Sequence, residues 1–318
     1  MRRHTAFIAA QEGFTEKGTA EVAIIATETA HNVLKHAGTG EVHITGLSAH
    51  SEAGLEILAI DKGPGMANWH ECMADGFSTA GTAGNGLGAI NRLADALDAY
   101  TRPGQGTVLV ARKFVAPKPA NRTEDWTLGA VRVPYPGEPS CGDNWGVRRN
   151  GSSLSLMLAD GLGHGVLASD ASTAAVTAFH TGRGDAPAAI VGNLHSALRS
   201  TRGAAVAVAR VEREVGVARY AGLGNIVGVL LGGPRPQFMV SHNGTAGLEA
   251  RRVQEFDYRL PPDATVIMHS DGLTTSWSVD GYPGLLRRHP SVIAGILYRD
   301  ASRGRDDVCV VVGRYIRE

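Results

Sequence analysis

Two stretches of this chain end in the same way. The apolar run Ser153–Ala159 stops at Asp160-Gly161-Leu162, and the apolar run Ala264–His269 leads through Ser270 into Asp271-Gly272-Leu273. Short continuous apolar runs bounded by turn residues predict strands buried on both faces. Two such strands finishing in Asp-Gly-Leu bring two carboxylates to a sheet edge, where a hard divalent cation finds oxygen ligands. A single Asp-Gly after a strand is an ordinary turn, so the weight falls on whether further carboxylates join the pair. Asp143 follows the Pro/Gly-rich stretch Pro134–Gly142, and Asp306-Asp307 precedes the last apolar strand. A cluster of this kind repels itself and raises its own pKa values. A pair of Mg²⁺ or Mn²⁺ ions removes that cost, and oxygen-only ligands favour these over zinc. Two ions about 3.5–4 Å apart bridge a water and clamp a phosphate for in-line attack. His164, in Gly163-His164-Gly165, reads either as an acid for the leaving oxygen or as a ring that packs the turn. Asn225 reads either as a substrate contact or as a turn residue.

At 318 residues the chain is long enough for two domains, each with its own core. Formal net charge is zero, which gives no support to a general nucleic-acid or membrane-surface role. Cys72, Cys141 and Cys309 form no C-x-x-C pair, which fits a reducing cytoplasm and argues against a zinc site. No apolar run approaches membrane-spanning length, and the basic start is followed by too short an apolar run for a signal peptide. Residues 115–124 are Pro-rich and aperiodic and read as a linker. The expected division is therefore 1–114, linker 115–124, and 125–318.

In the first part, Thr19–His36 is the strongest helix signal. Val22, Ile25, Ala26, Thr29 and Val33 form its core stripe, and Glu28, Asn32 and Lys35 share a neighbouring face. Glu41–Leu47 and Gly54–Ile60 alternate as antiparallel strands, the second running into Asp61-Lys-Gly63-Pro-Gly65. An Asp at a strand end can bind a base edge while the glycines let backbone come close. A Gly-rich loop, Gly76–Gly88, opens a helix expected over Leu87–Asp98, and its N–H groups suit an anion. Gly84-Asn-Gly86-Leu-Gly88-Ala89 matches the dinucleotide fingerprint, but no strand precedes it, and no Walker A sequence is present. Thr107 leads into the strand Val108–Phe114. In the second part, Trp126–Val133, Trp145–Arg149, Ala204–Val211, Val215–Ala221, Ile226–Leu231 and Gln237–Ser241 read as further strands. His164–His180, Asp185–Thr201 (Asp185 as N-cap) and Pro290–Tyr298 read as helices.

Residues 4–114 resemble the GHKL, or Bergerat, ATP-binding fold. Glu28-x-x-x-Asn32, Asp61-x-Gly63-x-Gly65, Gly84–Gly88 and Thr107 match its four boxes in order. The resemblance implies ATP with Mg²⁺ on Asn32, adenine on Asp61, and contacts from Gly63, Gly65, Gly86, Gly88 and Thr107. Lys35 matches a phosphate-contacting lysine. Phe77-Ser-Thr-Ala80 with Gly86–Leu93 is most similar to the RsbT-like switch kinases and their anti-sigma relatives, where Glu28 would be the general base. Those relatives begin with a strand and half-helix that this chain lacks, which implies a late start or a trimmed domain and bears on dimerisation and partner binding.

Residues 126–318 resemble the PPM-type metal-dependent protein serine/threonine phosphatases of the SpoIIE-like branch. Cys141-Gly-Asp143, Ala159–Gly165, Ser270–Leu273 and Asp306-Asp-Val-Cys309 carry the likeness, and Gly137-Glu138 and Gly222–Ile226 are closest to its RsbX-like members. The resemblance implies metal ligands at Asp143, Asp160, the Gly161 carbonyl, Asp271 and Asp306, with Asp307 as the alternative to Asp306 and Cys309 where Thr is usual. It places Asp160 and Asp143 at the centre of the hydrolysis. The expected fold is α/β (α+β): a GHKL α/β sandwich followed by a PPM α-β-β-α sandwich. The implied function is a cytoplasmic, bifunctional partner-switching or stressosome-type regulator acting on a STAS-domain protein, with a sigma factor or downstream regulator as a further partner. The alternative is a phosphatase whose GHKL half only senses ATP or binds a sigma factor.

Overall fold

The computed structural model describes residues 1–48, 52–72, 86–116, 124–250 and 252–317. The Gly-rich stretch before Gly86, including Gly84, and most of the expected linker lie outside these residues. The chain divides into two compact units: Met1–Arg122 with Tyr282–Arg299, and Thr123–Gly281 with Asp300–Glu318.

The first unit opens with α1 (Arg2–Glu12) and α2 (Glu16–Asn32). Thr15 caps α2 by accepting from Gly18 N. A wide π-type turn, Val33–Ala37, follows directly. Then come β1 (Gly40–Gly46), β2 (Gly54–Asp61), the short α3 (Trp69–Cys72), α4 (Gly86–Leu93), β3 (Ala96–Thr101) and β4 (Thr107–Phe114). The strands form one antiparallel sheet in the order β1-β2-β4-β3. The α2 stripe anticipated from sequence is buried, against Leu55, Ile57 and Ala59 of β2 and Leu109 and Ala111 of β4. The helix expected over Leu87–Asp98 instead ends at Leu93. Asp95 turns the chain, its carboxylate accepting from Phe114 N and its N–H donating to Arg112 O. Leu97 and Ala99 then alternate into the core as strand residues, so pairing with β4 overrides local helical preference.

The second unit contains β5 (Glu124–Val133), β6 (Asp143–Asn150), β7 (Ser153–Gly161), α5 (Val166–Thr181), α6 (Pro187–Ala197), β8 (Ala204–Glu212), β9 (Val217–Leu223), β10 (Val227–Leu231), β11 (Gln237–Met239), β12 (Phe256–Arg259) and β13 (Thr265–His269). Helix α7 (Pro290–Ala301) and strand β14 (Val308–Arg317) complete the chain. Two five-stranded sheets form, β11-β10-β13-β14-β5 and β12-β9-β8-β7-β6. Leu154, Leu156 and Leu158 of β7 meet Val266, Met268 and Val311 of the opposite sheet. Met157 and Ala159 point the other way, onto Phe179, Ile190 and Leu194 of α5 and α6. Both faces of β7 are therefore buried, which is why its sequence is a continuous apolar run. Asp185 does not cap α6. Ala186 holds that position without a side-chain cap, Pro187 starts the helix, and Asp185 pairs with Arg210 at 3.0 Å. Strand β12 was not anticipated; its four residues alternate between half-buried and exposed, a weak signal.

The expected contiguous second domain differs from the packing in one segment. Tyr282–Arg299, which includes most of α7, belongs with the first unit. Its apolar side chains fit any buried face, and sequence alone does not say which sheet they meet.

Candidate functional site

In the first unit, Asp61 stands at the end of β2. Its Oδ1 accepts from Gly63 N (2.8 Å) and Thr107 N (3.2 Å). Both bonds fall on that one oxygen, and the residue is half-buried. Thr101 Oγ1 lies 3.0 Å from Thr107 Oγ1 and accepts from Met66 N. Two glycines permit this closeness. A Cβ on Gly65 (φ +67°) would lie 2.0 Å from Arg102 O, and one on Gly106 (φ +72°) 2.1 Å from Asp61 O. Of the expected residues, Asp61, Gly63, Gly65 and Thr107 come together, and Gly106 and Thr101, which the sequence did not point to, join them.

Glu28 and Asn32 meet the start of α4. A Cβ on Gly86 would lie 3.1 Å from Asn32 Oδ1 and 3.2 Å from Glu28 Oε2. Asn32 Nδ2 is buried without a hydrogen-bond partner among the described residues. An orphaned amide beside a carboxylate, at a helix start, fits a phosphate–Mg²⁺ group. Gly88 is buried within α4, while Lys35 is exposed in the π-type turn. Such widened turns are frequent at functional sites.

In the second unit the acidic residues gather at one end of the sheets. Asp143 and Asp160 are direct cross-strand partners of β6 and β7. Asp143 is 1% exposed; its Oδ2 accepts from Ser270 Oγ at 2.6 Å, and its Oδ1 is buried without a partner among the described residues. Ser270 Oγ also accepts from Cys309 N, so it stitches the Asp143 strand to the last strand. Asp271 Oδ2 accepts from Asn225 Nδ2 at 2.7 Å. Asn225 thus reaches the site through Asp271. Behind Asp271, His269 is fully buried between Ser270 O and the Trp277 indole N–H, and burial lowers its pKa.

Burial first, then the neighbouring aspartates, push the Asp143 and Asp160 carboxyls well above the usual carboxylate range. Asp306 is raised by burial and by Asp271, with Arg303 opposing. Asp306 and Asp307 differ in placement. Asp307 is buried, its Oδ1 accepting from Tyr135 N at 2.8 Å, and its Oδ2 is buried and unpartnered among the described residues. Asp306 is half-buried and adds to the negative field at both Asp143 and Asp160.

Among the described residues, no three His, Cys, Asp or Glu side chains close into a coordination shell. Asp143, Asp271 and Asp307 are each turned toward Ser270, Asn225 and Tyr135. The donor set still fits hard divalent cations: all oxygen, mutually repelling, with two buried carboxylate oxygens unpartnered. Two glycines keep the backbone tight. A Cβ on Gly161 would lie 2.1 Å from Ala168 O, and one on Gly272 2.0 Å from Asp307 O. His164 Nδ1 lies 2.8 Å from Glu138 Oε1, and its ring stacks on Tyr135 at 4.4 Å. The ring packs the turn while staying half-exposed. The same loop comes near Arg202, whose Nη1 would lie 3.3 Å from a Cβ on Gly163.

Residues 150–315 match the profile of the SpoIIE family, stage II sporulation protein E. The chain belongs to the SpoIIE family. Its first 113 residues match the histidine kinase-like ATPase domain. Over 108 residues this SpoIIE-family chain is 34% identical to the serine/threonine-protein kinase RsbT of Bacillus subtilis, covering 34% of the chain and 81% of RsbT. A bacterial stressosome structure, described as a modular system adapted to control secondary messenger signalling, is 26% identical with a TM-score of 0.57, covering 60% of this chain and all of that one. The PP2C phosphatase domain of Bacillus subtilis SpoIIE, with a fragment of its regulatory domain, is 16% identical with a TM-score of 0.50, covering 99% of this chain and 93% of that one, a likeness of fold. The SpoIIE-family chain therefore joins an RsbT-like, kinase-like unit to a PPM-type phosphatase domain. Domains of the first kind bind ATP and phosphatases of the second are metal-dependent, an arrangement that fits partner-switching regulation.

Proposed function

We propose that this chain is a bifunctional partner-switching regulator of the cytoplasm. Its second unit hydrolyses phosphoserine or phosphothreonine on a STAS-domain protein, and its first unit binds ATP–Mg²⁺ and phosphorylates such a protein. The observation that carries the reading is the cross-strand pair Asp143–Asp160, buried at the strand ends with Asp271 and Asp306 adding to the negative field at both.

Asp143, Asp160, the Gly161 carbonyl, Asp271 and Asp306 would hold two Mn²⁺ or Mg²⁺ ions, which supply an activated water and charge for the phosphate. In the hydrolysis a water oxygen bonds to phosphorus, the ester P–O bond breaks, and the serine oxygen leaves as the hydroxyl. Ser270 and Asn225 hold Asp143 and Asp271 in place. In the first unit, Asn32 would hold Mg²⁺, Asp61 the adenine, and Lys35, Gly63, Gly65, Gly86, Gly88 and Thr107 the rest of the nucleotide. Glu28 takes the proton of the partner's hydroxyl as its oxygen bonds to the γ-phosphorus and the bond to ADP breaks. Two opposed reactions on one chain act on a shared substrate at high effective concentration.

Labelled ATP and a STAS-domain protein test both halves. Label is expected on a partner serine or threonine, and more of it with an Asp143→Ala chain, where hydrolysis cannot erase it. No transfer by that variant sinks the kinase reading and leaves ATP sensing or sigma-factor binding for the first unit. A phosphorylated STAS protein that keeps its phosphate in the presence of Mn²⁺ sinks the phosphatase reading.

A further inference from the structure

The segment Tyr282–Arg299 is bracketed in sequence by Asp271 and Asp306, yet it packs in the nucleotide unit. Ser291 Oγ donates to Glu56 Oε2 (2.6 Å) and accepts from Arg112 Nη2 (3.2 Å), and Arg112 and Glu56 form a buried ion pair at 2.6 Å. Asp98 accepts from Arg288 Nη1 (3.2 Å) and His289 N (2.6 Å). The Tyr298 hydroxyl donates to the Glu41 carboxylate. Gly295 lies on β2 and β4, where a Cβ would come within 2.7 Å of Val108 Cγ1 and 3.7 Å of Ile60. Arg299 Nη1 donates to the main-chain oxygen of Asp61 at 3.3 Å. The helix therefore backs the strand ends that carry Asp61 and Thr107.

Helix α7 does not stop there. Its last carbonyl, Ala301 O, accepts from Thr274 N at 2.9 Å. Leu273 bridges Ser302, and Arg303 N donates to Gly272 O at 2.9 Å. These bonds tie the helix end to Asp271-Gly272-Leu273 just before Asp306. One continuous helix thus carries bonds to the backbone of the nucleotide-site aspartate and to the loop of a metal-site aspartate. Ser291 seats the helix on the sheet by hydrogen-bonding both members of the buried Glu56–Arg112 pair of β2 and β4, polar groups that would lose a partner if the helix lifted away.

We propose that nucleotide bound at Asp61 sets the rate of the phosphatase centre through helix α7. This rests on the reading that the first unit binds ATP and the second hydrolyses phosphoesters. Bound nucleotide orders the Asp61–Thr107 corner, stiffens the seat of α7, and holds Asp271 and Asp306 in register. A ligand acts at a distance by differential interaction with two arrangements of a packed element.

The test uses the full chain with excess Mn²⁺, p-nitrophenyl phosphate as substrate, and AMP-PNP, which prevents phosphoryl transfer. AMP-PNP is expected to raise the hydrolysis rate at least about 5-fold, the low end of coupling between sites. It is also expected to slow amide hydrogen exchange across 290–303 and 271–274. Arg288→Ala and Tyr298→Phe, whose partners Asp98 and Glu41 lie outside both sites, are expected to keep the basal rate and lose the response. The proposal is overturned if AMP-PNP binds by calorimetry and hydrolysis proceeds, yet neither rate nor exchange changes. It is equally overturned if both variants keep the full response. Failure of AMP-PNP to bind, or absence of metal-dependent hydrolysis, marks a failure of the underlying reading and takes the coupling down with it.

Discussion

In the first unit a single carboxylate, Asp61, is met on one oxygen by two backbone N–H groups. In the sandwich unit burial first, and neighbouring aspartates second, push the carboxyls of Asp143, Asp160 and Asp306 above the ordinary range. The first site is shaped in advance by backbone geometry, with glycines where any Cβ would strike a carbonyl. The second shares such glycines at Gly161 and Gly272, but strand register gathers several carboxylates there, with Arg303 opposing them at Asp306. Pre-organised donors lower the cost of binding a nucleotide. A self-repelling oxygen cluster stores that cost until a cation arrives.

The largest expected effect lies on the charged side of this contrast. Asp160→Asn or Asp271→Asn should lower phosphatase turnover by about 10⁴-fold or more, the scale for losing one member of an interdependent catalytic set, while nucleotide binding persists. Mn²⁺-dependent turnover retained by both variants would break the assignment. On the pre-organised side, Asp61→Asn should weaken nucleotide binding about 10- to 100-fold, the value of a hydrogen bond to a charged acceptor. Calorimetry with AMP-PNP measures it, and unchanged affinity would remove Asp61 from the pocket.

Ser270→Ala and Asn225→Ala address the residues that aim Asp143 and Asp271. Each should raise the Mn²⁺ concentration needed for half-maximal activity about 10- to 100-fold, as loss of outer support usually does. An unchanged metal requirement would make those hydrogen bonds incidental. The smallest effect is a pH dependence. Carboxyls whose folded pKa is raised bind more protons folded than unfolded, so their contribution to stability is present at low pH and lost as pH rises through the folded pKa. Metal-free protein should therefore melt a few degrees lower at about pH 8 than at about pH 6, and saturating Mn²⁺ should reverse the trend, because cations replace the protons. Calorimetric melts that rise with pH without metal would contradict the raised carboxyls of Asp143 and Asp160.

The residues expected at both sites were proposed from local signals. The α2 stripe declares its buried face, and Asp-Gly after an apolar run declares a strand end. Other parts were not. Ser270 and Asn225 are ordinary turn residues until the fold sets them against Asp143 and Asp271. Asp185 has the look of a helix cap but is taken by Arg210 of β8. Residues after Leu93 read as helix, and pairing with β4 makes them strand.

The sequence by itself determined which residues carry charge at strand ends, which helix face is apolar, and that the chain has an ATP-type half and a carboxylate half. Periodicity and turn chemistry act over a few residues, so they can be read without a fold. Only the tertiary structure decided that Asp143 and Asp160 face each other, that Asp307 is turned to Tyr135, and that helix α7 seats on the sheet of the first unit. Those outcomes depend on strand register and on which apolar faces meet, and both are set by packing between residues far apart in the chain.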